Sequence, residues 1–99
     1  MKLVWAEFAV SDREQIFEFI AIENPIAAVR CDHEISEQTS RLIDFPGIGR
    51  PGRVEGTREL VVQRTPFLVA YRVTEKEIRI LRVLHGAQMW PDSLDSDRN

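Results

Sequence analysis

The stretch from Arg58 to Pro91, RELVVQRTPFLVAYRVTEKEIRILRVLHGAQMWP, leaves few choices of fold. Val61-Val62, Phe67 to Val73 and Ile78 to Leu84 are short runs dense in β-branched, aliphatic and aromatic residues, as strands are. The breaks between them, Arg64-Thr65-Pro66 and Thr74-Glu75-Lys76-Glu77, are too short for the crossover that a parallel connection needs. Three neighbouring antiparallel strands follow. A hairpin centred between Glu75 and Lys76 sets Val73 opposite Ile78 and Tyr71 opposite Ile80. One face then carries Phe67, Val69, Tyr71, Ile80, Arg82 and Leu84. The other carries Leu68, Ala70, Arg72, Arg79, Leu81, Val83 and His85. Both are largely apolar, so both are expected to meet something; the chain's own helices cover one, and the other is a candidate binding surface.

Upstream, Lys2 to Glu7 alternates weakly and reads as a first strand. Ser11-Asp12-Arg13-Glu14 has the form of a capping box, and the helix expected after it carries Ile16, Phe17, Phe19 and Ile20 and runs to about Ile22. Asn24-Pro25 restarts the chain, with Asn24 as N-cap and Pro25 in the first helical position. The second helix ends near Ile43, and Ala28, Ile35 and Leu42, with Cys31 and Thr39, mark its buried stripe. Joined by almost no loop, the two helices are expected to form an antiparallel hairpin across one sheet face. Gly47 to Gly56 holds four glycines and a proline and reads as an exposed loop bearing Arg50 and Arg53. It lacks the lysine-serine/threonine ending of a P-loop, and no helix is expected to follow its glycines as the GxGxxG fingerprint requires, so nucleotide binding is not expected. The expected fold is α+β, in the order β-α-α-β-β-β, with an antiparallel sheet and a two-helix hairpin on one face. Residues 1–91 form one domain, and 92–99 an acidic, frayed tail.

Ninety-nine residues suffice for one core. A single cysteine, Cys31, rules out an internal disulfide and fits a reducing compartment. No apolar run approaches a membrane span and no signal peptide is present, so the chain is expected in the cytoplasm. The net charge of −3 is unevenly spread: residues 1–49 carry −5, residues 50–85 carry +4, and the remainder carries −2. Eleven of the thirteen basic residues are arginine, whose planar fork binds two oxygens of a carboxylate or phosphate at once. Arg50, Arg53, Arg58, Arg72 and Arg79 are therefore candidate target-binding residues on a basic face; solvated sheet edges account for the same distribution.

Ligands for a metal are scarce. His33 and His85 lie in different elements, and Cys31, two positions from His33 on a helix, diverges from it. No metal or cofactor is expected. One polar cluster could do chemistry: Glu55, Arg82 and His85, near Arg58 and the two loop arginines. Cleavage of RNA by its own 2′-hydroxyl needs a base, an acid and a cation to stabilise the phosphorane, and these residue types supply all three. A structural account competes: Glu59 and Arg82 pair across strands, and His85 caps the end of the sheet.

The order of elements resembles the ParE/RelE superfamily of bacterial type II toxins. The resemblance rests on Gly49 to Leu60 (GRPGRVEGTREL), Val69 to Val73 (VAYRV) and Ile80 to Pro91 (ILRVLHGAQMWP). It covers about residues 2–91 and implies a small cytoplasmic toxin, encoded beside an antitoxin that wraps and neutralises it. RelE-like members cleave messenger RNA on the ribosome; ParE-like members poison DNA gyrase. RelE-like ribonucleases usually place an arginine where this chain has Phe67 and carry a tyrosine or His-Tyr near the C-terminus, whereas His85 here precedes Gly86. No lysine lies between Lys2 and Lys76. The resemblance thus favours a non-nucleolytic, ParE-like gyrase inhibitor. Glu55, Arg82 and His85 are catalytic only if the chain is instead a ribonuclease. A third class is a non-toxic relative that keeps only partner binding. An amphipathic antitoxin segment is expected over exposed apolar surface of the hairpin and sheet, and Trp90 is expected to plug one end of the sheet.

Overall fold

The computed structural model describes residues 1–87; the expected Trp90 plug and the tail 92–99 lie outside them. Five strands and two helices follow one another as β1 (Lys2–Trp5), α1 (Glu7–Ala21), α2 (Pro25–Ser40), β2 (Arg50–Pro51), β3 (Arg58–Val61), β4 (Phe67–Val73) and β5 (Glu77–His85). A 3₁₀ turn, Arg41–Ile43, extends α2. The sheet order is β1-β5-β4-β3-β2. As expected, β3, β4 and β5 form an antiparallel meander, to which β2 adds a two-residue edge inside the stretch read as a plain loop. The sheet is mixed, however, because β1 lies parallel to β5, with Leu3 opposite Ile78 and Trp5 opposite Ile80. Everything between them serves as the long connection that parallel pairing requires.

The hairpin register at Val73–Ile78 and Tyr71–Ile80 is as the sequence implies. Beyond it a bulge intervenes. Ala70 pairs with Arg82 and Tyr71 with Ile80, which leaves Leu81 as one extra residue on β5. From there the faces exchange: Val83 and His85, not Arg82 and Leu84, stand opposite Val69 and Phe67. Without the extra residue, Arg82 would face Val69 in the helix-covered core; with it, Val83 does.

The first helix begins four residues before the supposed cap. Ala6 donates its N–H to Ile80 O (2.9 Å), as if the strand continued, and α1 starts at the next residue. Ser11 is therefore inside the helix, where its hydroxyl accepts from Gln15 Nε2. α2 begins as read: Asn24 Oδ1 accepts from Ala27 N at 3.0 Å and Pro25 occupies the first turn. Its stripe Ala28, Ile35 and Leu42 is fully buried. Ile35, Leu42 and Ala9 pack with Val69, Tyr71, Ile78, Ile80 and Val83, flanked by Trp5, Ile16 and Phe67. On the other face Ala70, Leu81 and Leu84 are at most 6% exposed, with Val54 packed against them. The centre of that face is thus closed, not the open apolar surface expected there.

Two sets of contacts hold the connections. Gln38, buried on α2, donates Nε2 to Gln63 O (3.0 Å) and accepts from Gln63 N (2.7 Å), so one side-chain amide pairs with the main chain as a strand would. Beside it Glu34 grips Arg64 through two bonds of 2.9 and 3.0 Å. Arg64 sits at φ +68° between β3 and β4, a left-handed conformation that this grip helps to maintain. At the sheet's other end Tyr71, fully buried, donates its hydroxyl to Pro46 O and accepts from Gly49 N, both at 2.9 Å. Arg58 Nη1 donates to Gly49 O at 2.7 Å. The start of the glycine-rich stretch is thereby fastened to the sheet.

Gly49 has no room for a side chain: a Cβ would lie 2.5 Å from Tyr71 Oη and 2.9 Å from Glu59 O. Gly49→Ala should therefore destabilise by about 1–3 kcal/mol, and Tyr71→Phe by about 1–2 kcal/mol, both read from urea unfolding. Combined, they should cost less than their sum, because each loosens the same clasp. A second outcome concerns pH. Arg64, and next the Gln38 amide, hold the Glu34 carboxyl down to about 2 from an ordinary 4.5. The folded value is the lower one, so this stabilisation is complete above the ordinary value and is lost as pH falls toward 2. The gap in urea midpoint between wild type and Glu34→Gln should be small, steady at neutral pH, and absent in strong acid. A gap unchanged in acid would show that the carboxylate charge is not its source.

Candidate functional site

The polar groups singled out in the sequence fall into three separate places. Glu55 is exposed in the turn between β2 and β3, on the Tyr71 side of the sheet. His85 ends β5 opposite Phe67. Tyr71 and Phe67 are four residues apart on β4, so Glu55 and His85 are separated by at least ~13 Å along the strand direction. His85 sits edge-on to the Phe67 ring at 5.6 Å, and its Nδ1 accepts from Ala87 N at 3.0 Å. That is the arrangement of a residue finishing a sheet.

Arg82 is engaged by a residue the sequence reading had assigned to a cap. Asp12 of α1 takes Arg82 Nε at 2.7 Å and Nη2 at 2.9 Å. The same carboxylate accepts Val83 N at 2.9 Å. The reason is local: β1 stops beside Ile80, so the N–H of Val83 has no neighbouring strand on that flank. Phe8 lies under the guanidinium, 5.6 Å from its centre to the ring centroid. The carboxylate beside Arg82 pushes its pKa up still further, so it is a fixed cation. Glu59 does not reach Arg82, contrary to the cross-strand pairing considered above. It is buried and accepts instead from Arg50 Nη2 (3.1 Å) and the main-chain N of Arg53 (2.8 Å).

The candidate target-binding arginines do gather toward one end. Arg50 and Arg53 flank Glu59 while about half of each side chain remains exposed, 56% and 45%. Arg58 follows Pro51 across the β2–β3 ladder, and Arg72 and Arg79 stand opposite each other on β4 and β5. Arg79 Nη1 also contacts Glu77 at 3.3 Å. Among the described residues no three His, Cys, Asp or Glu side chains group as metal ligands. Burial raises the pKa of the Cys31 thiol, which keeps it protonated and a poor nucleophile.

The helical hairpin supplies a different surface. Phe19, Ile22, Ile26 and Val29 are 58–82% exposed at and beside its tip. Between the helices a groove of about 290 Å³ is lined by Val10, Arg13, Glu14, Phe17, Glu18 and Asp32. Its floor is the Arg13–Asp32 pair, bonded twice at 2.9 and 3.0 Å, with the Arg13 guanidinium stacked 4.7 Å from the Trp5 ring. The sequence does not reveal Asp12 as an organising carboxylate, and it suggests the wrong arginine for Glu59; their contacts in the fold show both.

Known proteins are similar to this chain in sequence and fold. The family model described as the ParE toxin of the type II toxin–antitoxin system parDE matches residues 3–90. The Sinorhizobium fredii protein Y4kP, a toxin by name, is 34% identical over 93 residues, covering 94% of this chain and 96% of its own length. Toxin RelE2 of Caulobacter vibrioides is 30% identical over 88 residues, covering 89% and 98% respectively. A solved structure of a chromosomal ParDE toxin–antitoxin system from P. aeruginosa superposes with a TM-score of 0.79 at 35% identity, covering 86% of this chain and 95% of the other. Nearly the whole described fold is thus accounted for, and the chain belongs to the ParE toxin family of type II toxin–antitoxin systems.

Proposed function

We propose that this toxin arrests growth by binding and inhibiting DNA gyrase in the cytoplasm, without cutting RNA, and that a cognate antitoxin neutralises it. The observation that carries this reading is the dispersal of the three groups a ribonuclease would need. Arg82 is committed to Asp12, and Glu55 and His85 belong to opposite ends of the sheet. General acid–base catalysis requires its groups within reach of one substrate proton each, around one phosphate. Arg50, Arg53, Arg58, Arg72 and Arg79 then serve to dock the target rather than to stabilise a transition state. The antitoxin's place is the hairpin, where Phe19, Ile22, Ile26 and Val29 offer aliphatic and aromatic anchors to an amphipathic segment. The ParDE assembly of the P. aeruginosa relative supports a partner of this kind. One observation favours a second reading, ribosome-dependent cleavage of messenger RNA: the likeness to Toxin RelE2.

Glu55→Ala and His85→Ala, expressed at wild-type levels, should each retain growth arrest. Asp12→Asn should destabilise the protein by about 2–4 kcal/mol, and toxicity should fall in step with folded protein. Purified wild type should inhibit supercoiling by gyrase. Codon-phased cuts mapped by primer extension within minutes of induction would promote the second reading. The antitoxin site has its own check. Ile22→Arg, at a position 82% exposed, should leave stability within about 0.5 kcal/mol yet weaken antitoxin affinity by about 2 kcal/mol. Unchanged affinity would remove the hairpin tip from the interface.

A further inference from the structure

At the end of the sheet away from His85, β4 outruns its neighbour. β3 begins at Arg58, opposite Tyr71, while β4 continues to Val73. Antiparallel ladders alternate between hydrogen-bonded and open pairs. Val62 N donates to Phe67 O at 3.0 Å, which makes Leu60–Val69 and Arg58–Tyr71 bonded pairs of the same series. Val73 is the next member. On its other flank Thr74 N donates to Glu77 O at 2.9 Å to close the hairpin, so the main-chain N–H and C=O of Val73 point away from β5, toward the side β3 does not reach. Gly56, which would stand opposite, has turned aside at φ +81°.

That side is a cleft of about 280 Å³ lined by Pro51, Gly56, Thr57, Arg58 and Val73. By the two-residue alternation of strands, the side chains of Arg58 and Val73 share one face. Arg58 is held in place through Nη1, which donates to Gly49 O (2.7 Å) and Gly47 O (3.4 Å). Its Nε and Nη2 make no hydrogen bond among the described residues. The mouth is open, since a Cβ on Gly56 would meet nothing within 4 Å. Pro51 and Val73, both exposed, supply apolar walls.

We propose that this cleft receives an extended acidic peptide segment from a protein partner. A glutamate or aspartate carboxylate lies on the two spare guanidinium nitrogens of Arg58, the peptide main chain pairs with Val73, and an adjoining aliphatic side chain packs on Pro51. A guanidinium edge matches a carboxylate in shape and charge. The arginines and Lys76 around this end add a favourable field. Single-stranded nucleic acid fits less well: it needs cations spaced along its backbone and aromatic platforms. The cleft offers one cation, no ring, and a carbonyl that repels phosphate. The ligand chemistry holds whichever target the toxin acts on, and binding is measured without reference to toxicity.

The ¹⁵N-labelled full chain would be titrated with acetyl-Leu-Glu-Val-Glu-Leu-amide, its Glu→Gln analogue, and hexauridylate. The acidic peptide should shift the amides of Gly56, Thr57 and Val73 and the Nε–H of Arg58. The analogue, and the Arg58→Gln protein, should bind at least tenfold more weakly. Since Arg58 also holds Gly49, Val73→Pro gives a second arm: it removes an N–H that no ladder bond uses, leaves Arg58 in place, and should lower affinity by a similar factor. Absence of shifts, equal shifts from the analogue, full affinity in Val73→Pro, or stronger shifts from hexauridylate at these amides would each overturn the proposal.

Discussion

The Asp12 carboxylate holds together two parts of the molecule that the backbone alone leaves apart. β1 accompanies β5 only as far as Ile80, and five more residues of β5 continue without it. Asp12 stands in for the missing strand at Val83 and fixes Arg82 in the same act. Its side chain is 11% exposed and that of Arg82 21%, so both charges are largely out of water. A hydrogen bond to a charged group is worth roughly 1.5–3 kcal/mol net, and an unpartnered charge in such a place costs more. The bulge at Leu81 belongs to the same device, because it lets Val83 enter the core while Arg82 leaves it. Helix, strand edge and register are thereby locked to one another.

The arginines follow a common pattern. Arg13 is bound by Asp32, Arg64 by Glu34, Arg82 by Asp12, and Arg50 and Arg53 share Glu59. Much of the positive charge that the sequence suggests for catalysis or phosphate binding is thus spent on positioning loops and strands. What faces solvent is about half of the Arg50 and Arg53 side chains, beside the spare edge of Arg58 and an apolar helical tip with acidic residues next to it. Surfaces of this kind grip proteins. They are less suited to organising proton transfer at one atom.

Local signals were read well where they decide the structure. Asn24-Pro25 and the seven-residue repeat of Ala28, Ile35 and Leu42 located α2, and short breaks with β-rich runs gave the three-strand meander. The failures have physical causes. Ser11 to Glu14 has the letters of a capping box, but β1 ends so early that the helix is already under way. Nothing near Lys2 in the chain announces that it will pair with Glu77, since that contact is purely tertiary. Alternation of period two cannot reveal one inserted residue, so Arg82, Val83 and Leu84 were placed on the wrong faces. The candidate site suffered accordingly. The arginines at one end are legible as charge, but nothing in the sequence marks Glu59 as the partner of Arg50 and Arg53, or Asp12 as the partner of Arg82.

Relatives bearing ParE and RelE names share this scaffold with the chain, so the fold by itself does not select the chemistry. The selection lies in whether the polar groups around the sheet are free to meet a phosphate or already employed. A catalytic arginine must aim preorganised N–H donors at the scissile phosphate, whereas Arg82 already gives its Nε and Nη2 to a carboxylate that compensates its charge. Removing Asp12 to release it would also strip Val83 of its partner. Freedom for catalysis and integrity of the strand edge are therefore opposed in this chain, and the pairing that stabilises the fold is the same one that argues against nuclease chemistry.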